Sequence, residues 1–148
     1  MARRVFFSFN YSKDIWRVNQ IRSMPNVIGC AAAGFQDASL WEETKKKGDA
    51  AIKKLIDEGL KNTSVTVVCV TYGTSTRKYI NYEINQSLGR GNGLVAIQIH
   101  HLKDQNGDTA SPGAIPSEIE KAGFKAYKYT TKDKLADWIE EAAELAGK

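Results

Sequence analysis

A nearly continuous apolar run in the middle of the chain reads Ser64-Val-Thr-Val-Val-Cys-Val-Thr71. Its β-branched residues favour a strand that is covered on both faces, as the strands of a parallel sheet are. A turn, Tyr72-Gly-Thr-Ser-Thr76, follows it. A helix is expected next, because Ile80, Ile84 and Leu88 recur every four residues and would pack on the sheet. The sequence therefore predicts a strand, turn and helix of an α/β protein at the centre of the chain.

Strand and helix patterns alternate on both sides of this unit. Strands are expected at 3–9, near Ala31–Phe35, at 94–99 and at 126–130, and helices from about Asp14 to Arg22, from about Lys47 to Leu60 and from about Lys132 to Ala146. The segment from His100 to Pro116 is rich in Gly, Asp and Asn and is typical of a long loop. The alternation predicts an α/β three-layer sandwich with a parallel five-stranded sheet in the flavodoxin-like order 2-1-3-4-5.

Length and composition narrow the class of protein. A chain of 148 residues is the size of one domain, so we expect a single domain over residues 1–148. It contains neither an apolar run of 18 or more residues nor a secretory leader, which predicts a soluble, cytoplasmic protein without membrane contact. Cys30 and Cys69 are far apart, and Cys69 lies in a predicted buried strand, which favours reduced core thiols.

A basic run and a pair of histidines could indicate a nucleic-acid site and a metal site, but the residues around them do not favour either. The net charge is +4 and Lys45-Lys-Lys47 is a basic run, but these lysines alternate with acids along a helix, which indicates a solvated face rather than a nucleic-acid site. His100 and His101 are adjacent and expected to point apart, and neither has metal-ligand spacing to a cysteine. We therefore expect no metal site and no nucleic-acid partner.

The predicted strand order places the ligand crevice between strands 1 and 3, where their following loops diverge. Those loops are 8–14 and 72–76, and Glu83 lies on the helix that leaves the second, about 10 Å from its start. Glu83 is therefore the candidate catalytic residue. The alternative is a surface glutamate on an amphipathic helix. Its candidate partners would be Arg77, Lys78 and Ser87.

Other proteins of this architecture carry different loops. A receiver domain needs clustered carboxylates after strand 1, where this chain reads Ser8-Phe-Asn10. A flavodoxin needs a glycine-rich phosphate loop there, and residues 8–14 contain no glycine. Gly89-x-Gly91-x-Gly93 follows a helix and precedes a strand, which is the wrong context for a dinucleotide loop.

Several motifs resemble those of a known family. Val5-Phe-Phe-Ser-Phe-Asn-Tyr-Ser-Lys-Asp14 is similar to the first box of TIR domains, and Ser75-x-Arg77-x-Tyr79-x-x-x-Glu83 is similar to their Trp-x-x-x-Glu helix, with Tyr79 in place of the tryptophan. A closer resemblance is to the TIR-like proteins of bacterial Thoeris antiphage systems. It is carried by Arg4-Val-Phe-Phe-Ser-Phe9, Asp37-Ala-Ser-Leu-Trp-Glu42 and Asn62-Thr-Ser-Val-Thr66, and it spans roughly residues 1 to 103.

The resemblance implies an enzyme that cleaves NAD at the nicotinamide–ribose bond and makes a cyclic ADP-ribose isomer as a signal in antiphage defence. NAD would be the substrate, with no separate cofactor. It also implies self-association through TIR–TIR contacts and a downstream effector. Glu83 would stabilise the oxocarbenium ion that forms as nicotinamide leaves. The competing interpretations are a non-catalytic TIR-like interaction module and a nucleotide-binding flavodoxin-like protein without chemistry.

The predicted pocket combines three segments of the chain. Asp37 follows the second strand, where acidic residues often meet a ribose, or else Asp37 or Ser39 caps a helix. Trp41 closes over the nucleotide or seals a loop, and Tyr79 stacks on nicotinamide or covers the sheet edge. The complete set of predicted substrate contacts is Ser8, Phe9, Asn10, Tyr11, Asp37, Trp41 and Tyr79.

Overall fold

The computed structural model describes residues 3–22, 27–31 and 38–148, with side chains for 3–22 and 43–148. The helices and strands, in chain order, are β1 (Arg3–Ser8), α1 (Tyr11–Asn19), β2 (Val27–Ala31), α2 (Ala38–Lys47), α3 (Asp49–Leu60), β3 (Val65–Val70), α4 (Lys78–Gly89), β4 (Gly93–Gln98), α5 (Ser117–Lys121), β5 (Lys125–Lys128) and α6 (Lys132–Leu145). A 3-10 turn at Thr74–Thr76 connects β3 to α4.

The strands form one parallel sheet in the order β2-β1-β3-β4-β5. This is the α/β architecture and the strand order that the sequence predicts. Every residue of β3 is buried, because helices cover both faces of the central strands. β5 is a short edge strand of four residues that are exposed or half-buried. The central strand β3 therefore has a long apolar run in the sequence, whereas the edge strand β5 has a less apolar sequence.

The sheet separates two apolar layers. On one face, Phe7 and Val67 belong to a cluster that includes residues of α1 and α6. On the other, Phe6 packs with residues of α3, and Val68 packs with Ile84 of α4. α4 therefore presses one side onto the sheet and holds its first turns beside the carboxyl ends of β1 and β3.

Two predicted boundaries near the amino terminus are wrong. The second strand is described over Val27–Ala31 and begins at Val27 rather than near Ala31, because Val27 already pairs with Arg3 of β1. Its predicted end near Phe35 falls outside the described residues. Residues 32–37 lie outside the described part of the chain. Helix α1 begins at Tyr11 rather than at Asp14, since the Asn10 carbonyl already accepts the N–H groups of Lys13 and Asp14.

Two helices were not predicted as separate elements. The chain folds into α2 and α3 where one helix from about Lys47 was expected. Gly48 separates them with φ 101°, a backbone conformation that glycine adopts without the strain a side chain would bring. The short helix α5 also carries too few residues for a periodic pattern. None of the described helices is both long and apolar enough to cross a membrane.

The cysteine and histidine expectations have different outcomes. Cys69 is a buried free thiol, as predicted, while the side chain of Cys30 lies outside the described residues. The rings of His100 and His101 do not point apart. Their centroids are 5.5 Å away from each other in an edge-to-face contact, because the chain turns at these residues instead of continuing as a strand.

Candidate functional site

A cavity of about 490 Å³ opens at the carboxyl ends of β1 and β3, next to the first turns of α1 and α4. This is the crevice that the strand order predicts. Its apolar lining consists of Phe7, Phe9, Ile52, Ile56 and Ile80. Its polar lining consists of Asn10, Tyr11, Ser12, Lys45, Thr76, Arg77, Lys78, Tyr79 and Glu83.

Glu83 lines this cavity from α4 and is only 5% exposed. Its neighbours Ile80 and Ile84 are buried against the sheet, so the periodicity of α4 turns the Glu83 carboxyl inward beside them. The surface glutamate considered as an alternative is therefore wrong. Ser87 does contact Glu83, but its hydroxyl donates to the backbone carbonyl at 2.7 Å rather than to the carboxyl group.

The Glu83 carboxyl has one hydrogen-bonding partner among the described residues. Ser8 Oγ, at the end of β1, donates to Glu83 Oε1 at 2.7 Å. Burial raises the pKa of Glu83 to about 8, and the Ser8 hydrogen bond opposes this rise by a smaller amount. Burial therefore favours the neutral form of Glu83 at pH 7.

The predicted residues of the strand 1 loop take two different positions. Phe9, Asn10 and Tyr11 line the cavity as expected. Ser8 is fully buried and lies outside the cavity lining, where it contacts the carboxyl group of Glu83. Ser8 is therefore connected to the cavity through Glu83, and its predicted contact with substrate stays a prediction.

The position of Tyr79 fits both of its predicted roles, and its stacking on nicotinamide stays a prediction. Tyr79 lines the cavity and also packs on the cluster around Ile52 and Ile56 of α3. Its hydroxyl donates to Asp49 Oδ1 at 2.8 Å, and Lys78 Nζ lies 2.7 Å from the same oxygen. These contacts, led by the one from Lys78, hold the pKa of Asp49 well below its usual range. A tyrosine at this position therefore fastens α4 to the start of α3 through its hydroxyl.

Two predicted contacts cannot be placed. Asp37 lies outside the described residues. Trp41 belongs to α2, but its side chain is not described. Their roles in substrate binding stay predictions.

Sequence reasoning missed several residues of the cavity. Arg77 and Lys78 directly precede Tyr79, and their position in the motif was a signal that could have found them. Lys45 was assigned to a solvated basic face, yet it lines the cavity from α2. The contributions of Ile52 and Ile56 depend on how α3 packs against α4, for which helical periodicity gives no signal.

A second buried carboxyl, Asp14, lies on α1 outside the cavity lining. Its Oδ1 accepts from Arg17 Nη1 at 2.9 Å and its Oδ2 accepts from Thr71 Oγ1 at 2.7 Å. Arg17 also donates to the carbonyls of Leu102 and Asp108, at 2.8 and 2.9 Å. Burial raises the pKa of Asp14, while Thr71 and Arg17 oppose that rise. This network fastens α1 to the end of β3 and to the long loop after β4.

Comparisons with known proteins identify the family of this chain. Residues 6–104 match the family described as Thoeris protein ThsB, TIR-like domain. A relative from Bacillus cereus (strain MSX-D12), named "Putative cyclic ADP-D-ribose synthase ThsB1", is 41% identical over 155 residues, which cover 99% of this chain and 78% of the relative. Similarity therefore extends past residue 103, where the recognisable motifs end. The chain belongs to the ThsB family of TIR-like domains from Thoeris systems.

Proposed function

We propose that this protein cleaves NAD between nicotinamide and ribose and makes a cyclic ADP-ribose-type signal in antiphage defence. The observation that carries the proposal is the buried carboxyl of Glu83 in the wall of the switch-point cavity. Membership of the ThsB family and the name of the relative, a cyclic ADP-D-ribose synthase, support the same reaction. The signal would act on a separate effector in the cytoplasm, with copies of this protein assembled through TIR–TIR contacts.

The size of the cavity suits part of a dinucleotide. Small-molecule sites generally enclose roughly 300–1,000 Å³. The cavity lies within this range at about 490 Å³, and it is open to solvent at its cationic end. One end of NAD would be enclosed, and the remainder would extend outward.

The distribution of polar and apolar lining gives the dinucleotide a direction. Glu83 and the apolar residues are buried, which suits the nicotinamide ring and its ribose. Lys45, Arg77 and Lys78 are exposed at the mouth, where their positive charges suit the diphosphate. Phe9 and Tyr79 add aromatic rings to the cavity lining. Nicotinamide would therefore enter first.

This orientation brings the scissile bond to Glu83. When the bond between ribose C1′ and the pyridinium nitrogen breaks, its electron pair goes to the nitrogen and nicotinamide leaves as a neutral molecule. Positive charge moves to the ribose as an oxocarbenium ion, which a nearby carboxylate stabilises strongly in apolar surroundings. No general acid is needed for the departure. An adenine nitrogen or a water molecule then attacks C1′, giving a cyclised or a hydrolysed product.

The test is to incubate the purified protein with NAD and to identify products by mass spectrometry, using the wild type and Glu83→Gln. Glutamine keeps the size of the side chain and can still accept from Ser8, so the variant removes mainly the ability of the side chain to become a carboxylate. We expect NAD cleavage to fall roughly 10³-fold, the scale of losing one electrostatic contact to a transition state.

The matched control is Glu58→Gln, which changes an exposed glutamate of α3 outside the cavity lining. It should cleave NAD as the wild type does. Both proteins are assayed across a range of protein concentrations, so that a requirement for self-association is met. Cleavage that persists in Glu83→Gln would contradict the assignment of Glu83, and a wild type that binds NAD without cleaving it would favour an interaction module.

A further inference from the structure

Glu83 is a buried carboxyl without a counter-charge in the described structure. It forms no ion pair with any described residue, and one neutral hydroxyl, that of Ser8, is its partner. An ionised carboxylate buried in this way is costly, because no cation among the described residues compensates its charge. These surroundings therefore favour the neutral acid at pH 7.

The charged groups around the cavity do not supply the missing cation. Lys45 on α2 and Arg77 and Lys78 at the start of α4 line the mouth, and Lys78 pairs with Asp49. α3 contributes apolar residues to the lining, and the ionisable side chains that face the cavity from α1 and α4 besides these are Tyr11 and Tyr79. Each neighbouring element thus leaves the inner end of the cavity without a positive charge among the described residues.

We propose that the cavity recognises ligands that bring their own positive charge to Glu83, and that binding such a ligand releases the Glu83 proton to solvent. The neutral acid and a cationic ring become a carboxylate and a cationic ring in contact, and one proton goes to the buffer. The inference rests on the proposed function, because the cation is taken to be the pyridinium ring of NAD. It predicts a preference for oxidised over reduced dinucleotide that comes from charge rather than shape.

The release of a proton follows from the ionisation state on either side of binding. An isolated buried acid with a pKa of about 8 is mostly protonated at pH 7. A cation in contact with it favours the charged form. At one pH unit below the pKa, about nine tenths of the Glu83 side chains carry a proton, so binding that ionises them at pH 7 should release about 0.9 proton for each ligand bound. The reduced ring carries no charge and should release none.

The experiment is isothermal titration calorimetry at pH 7 in buffers of different ionisation enthalpy, whose slope gives the number of protons released. The ligands are carba-NAD, in which a methylene replaces the ribose oxygen so that the bond is not cleaved, and NADH. We expect carba-NAD to release about 0.9 proton and to bind at least 10-fold more tightly than NADH. With Glu83→Gln, proton release should vanish and the preference for carba-NAD should fall.

Two serine variants separate the hydrogen bond from general disturbance of α4. Ser8→Ala removes the donor to the Glu83 carboxyl, so proton release on carba-NAD binding should persist to higher pH than in the wild type. Ser87→Ala removes a buried hydroxyl one turn along α4, whose hydrogen bonds within the described part of the chain are to the Glu83 backbone carbonyl and to Thr66. Its proton release should follow the wild-type pH profile.

Each outcome bears on a different claim. Binding of carba-NAD without proton release, or equal affinity for NADH, overturns this inference and leaves the cleavage reaction standing. Proton-coupled binding by a wild type that does not cleave NAD overturns the reaction alone. Failure to bind carba-NAD at all overturns both the substrate and the inference.

Discussion

Glu83 and Asp14 are both buried carboxyls near the carboxyl ends of β1 and β3, but their surroundings differ. Asp14 has an arginine and a threonine as partners, at 2.9 and 2.7 Å. Among the described residues, Glu83 has only the Ser8 hydroxyl as a partner, at 2.7 Å. Asp14 lies where α1 is fastened to β3, whereas Glu83 lies in the wall of an open cavity.

The difference distinguishes a structural carboxyl from a functional one. Arg17 and Thr71 both donate hydrogen bonds to the Asp14 carboxyl, and Arg17 supplies the opposite charge. The same network connects α1, β3 and the loop at 102–108. The Glu83 site lacks such compensation, and an uncompensated buried acid destabilises a fold unless it is neutral. A site that leaves its acid uncompensated is poised for a ligand that supplies the charge.

The largest effect on stability should come from breaking the paired carboxyl. Arg17→Met leaves Asp14 buried without its cation and leaves the carbonyls of Leu102 and Asp108 without their donor. Removing one partner of a buried pair costs about 3–5 kcal/mol in the free energy of unfolding. Urea denaturation followed by circular dichroism measures this loss.

The matched control is Arg3→Met, which breaks the more exposed ion pair between Arg3 and Glu140. That pair should contribute no more than about 1 kcal/mol, because solvent screens it. A loss from Arg17→Met that is no larger than the loss from Arg3→Met would mean that the Asp14 network does not hold the fold as described.

The unpaired carboxyl should instead make stability depend on pH. The pKa of Glu83 is about 8 in the folded protein against an ordinary 4.5, so between these values the folded protein keeps a proton that the unfolded chain has released. Its contribution to stability is complete below pH 4.5, declines as the pH rises toward 8, and is constant above that. At about 1.4 kcal/mol for each pKa unit, the decline reaches on the order of 3 kcal/mol by pH 7.

This contribution is isolated by comparing the wild type with Glu83→Gln in urea denaturation from pH 5 to 8. Asp14 and all other titrating groups are common to both proteins, so their effects cancel in the difference. The free-energy difference should move steadily in favour of Glu83→Gln as the pH rises. A difference that stays flat over this range would show that Glu83 is already ionised in the folded protein.

Much of the fold was predictable, because the central strands carry continuous apolar runs. The segment Ser64–Thr71 contains β3, and the spacing of Ile80, Ile84 and Leu88 located α4 together with the buried side of Glu83. The position of β2 was less predictable, since the small apolar residues from Val27 to Phe35 carry no alternation that fixes a register.

The site was predictable only where its residues belong to those elements. Glu83, Tyr79 and the strand 1 loop follow from strand order and motif. The cavity walls from α2 and α3 come from tertiary packing, which no local pattern reports. Ser8 is buried and donates to Glu83 instead of lining the cavity. The spacing of residues along the chain cannot distinguish a residue in the cavity wall from one directly behind it.

The smallest expected effect concerns a third carboxylate, Asp49, which is partly exposed and bonded to Tyr79. Tyr79→Phe removes that hydrogen bond but keeps the ring, and it should cost about 1 kcal/mol in stability. Tyr82→Phe is the matched control, because Tyr82 donates in the same way to Asp57 of α3 but does not line the cavity. Both variants should lose similar stability. Only Tyr79→Phe should raise KM for NAD, by roughly 3- to 10-fold, because the Tyr79 ring lines the cavity and loses the hydrogen bond that fixes it there. Equal KM values for the two variants would mean that Tyr79 stabilises the contact between α3 and α4 and does not contribute to NAD binding.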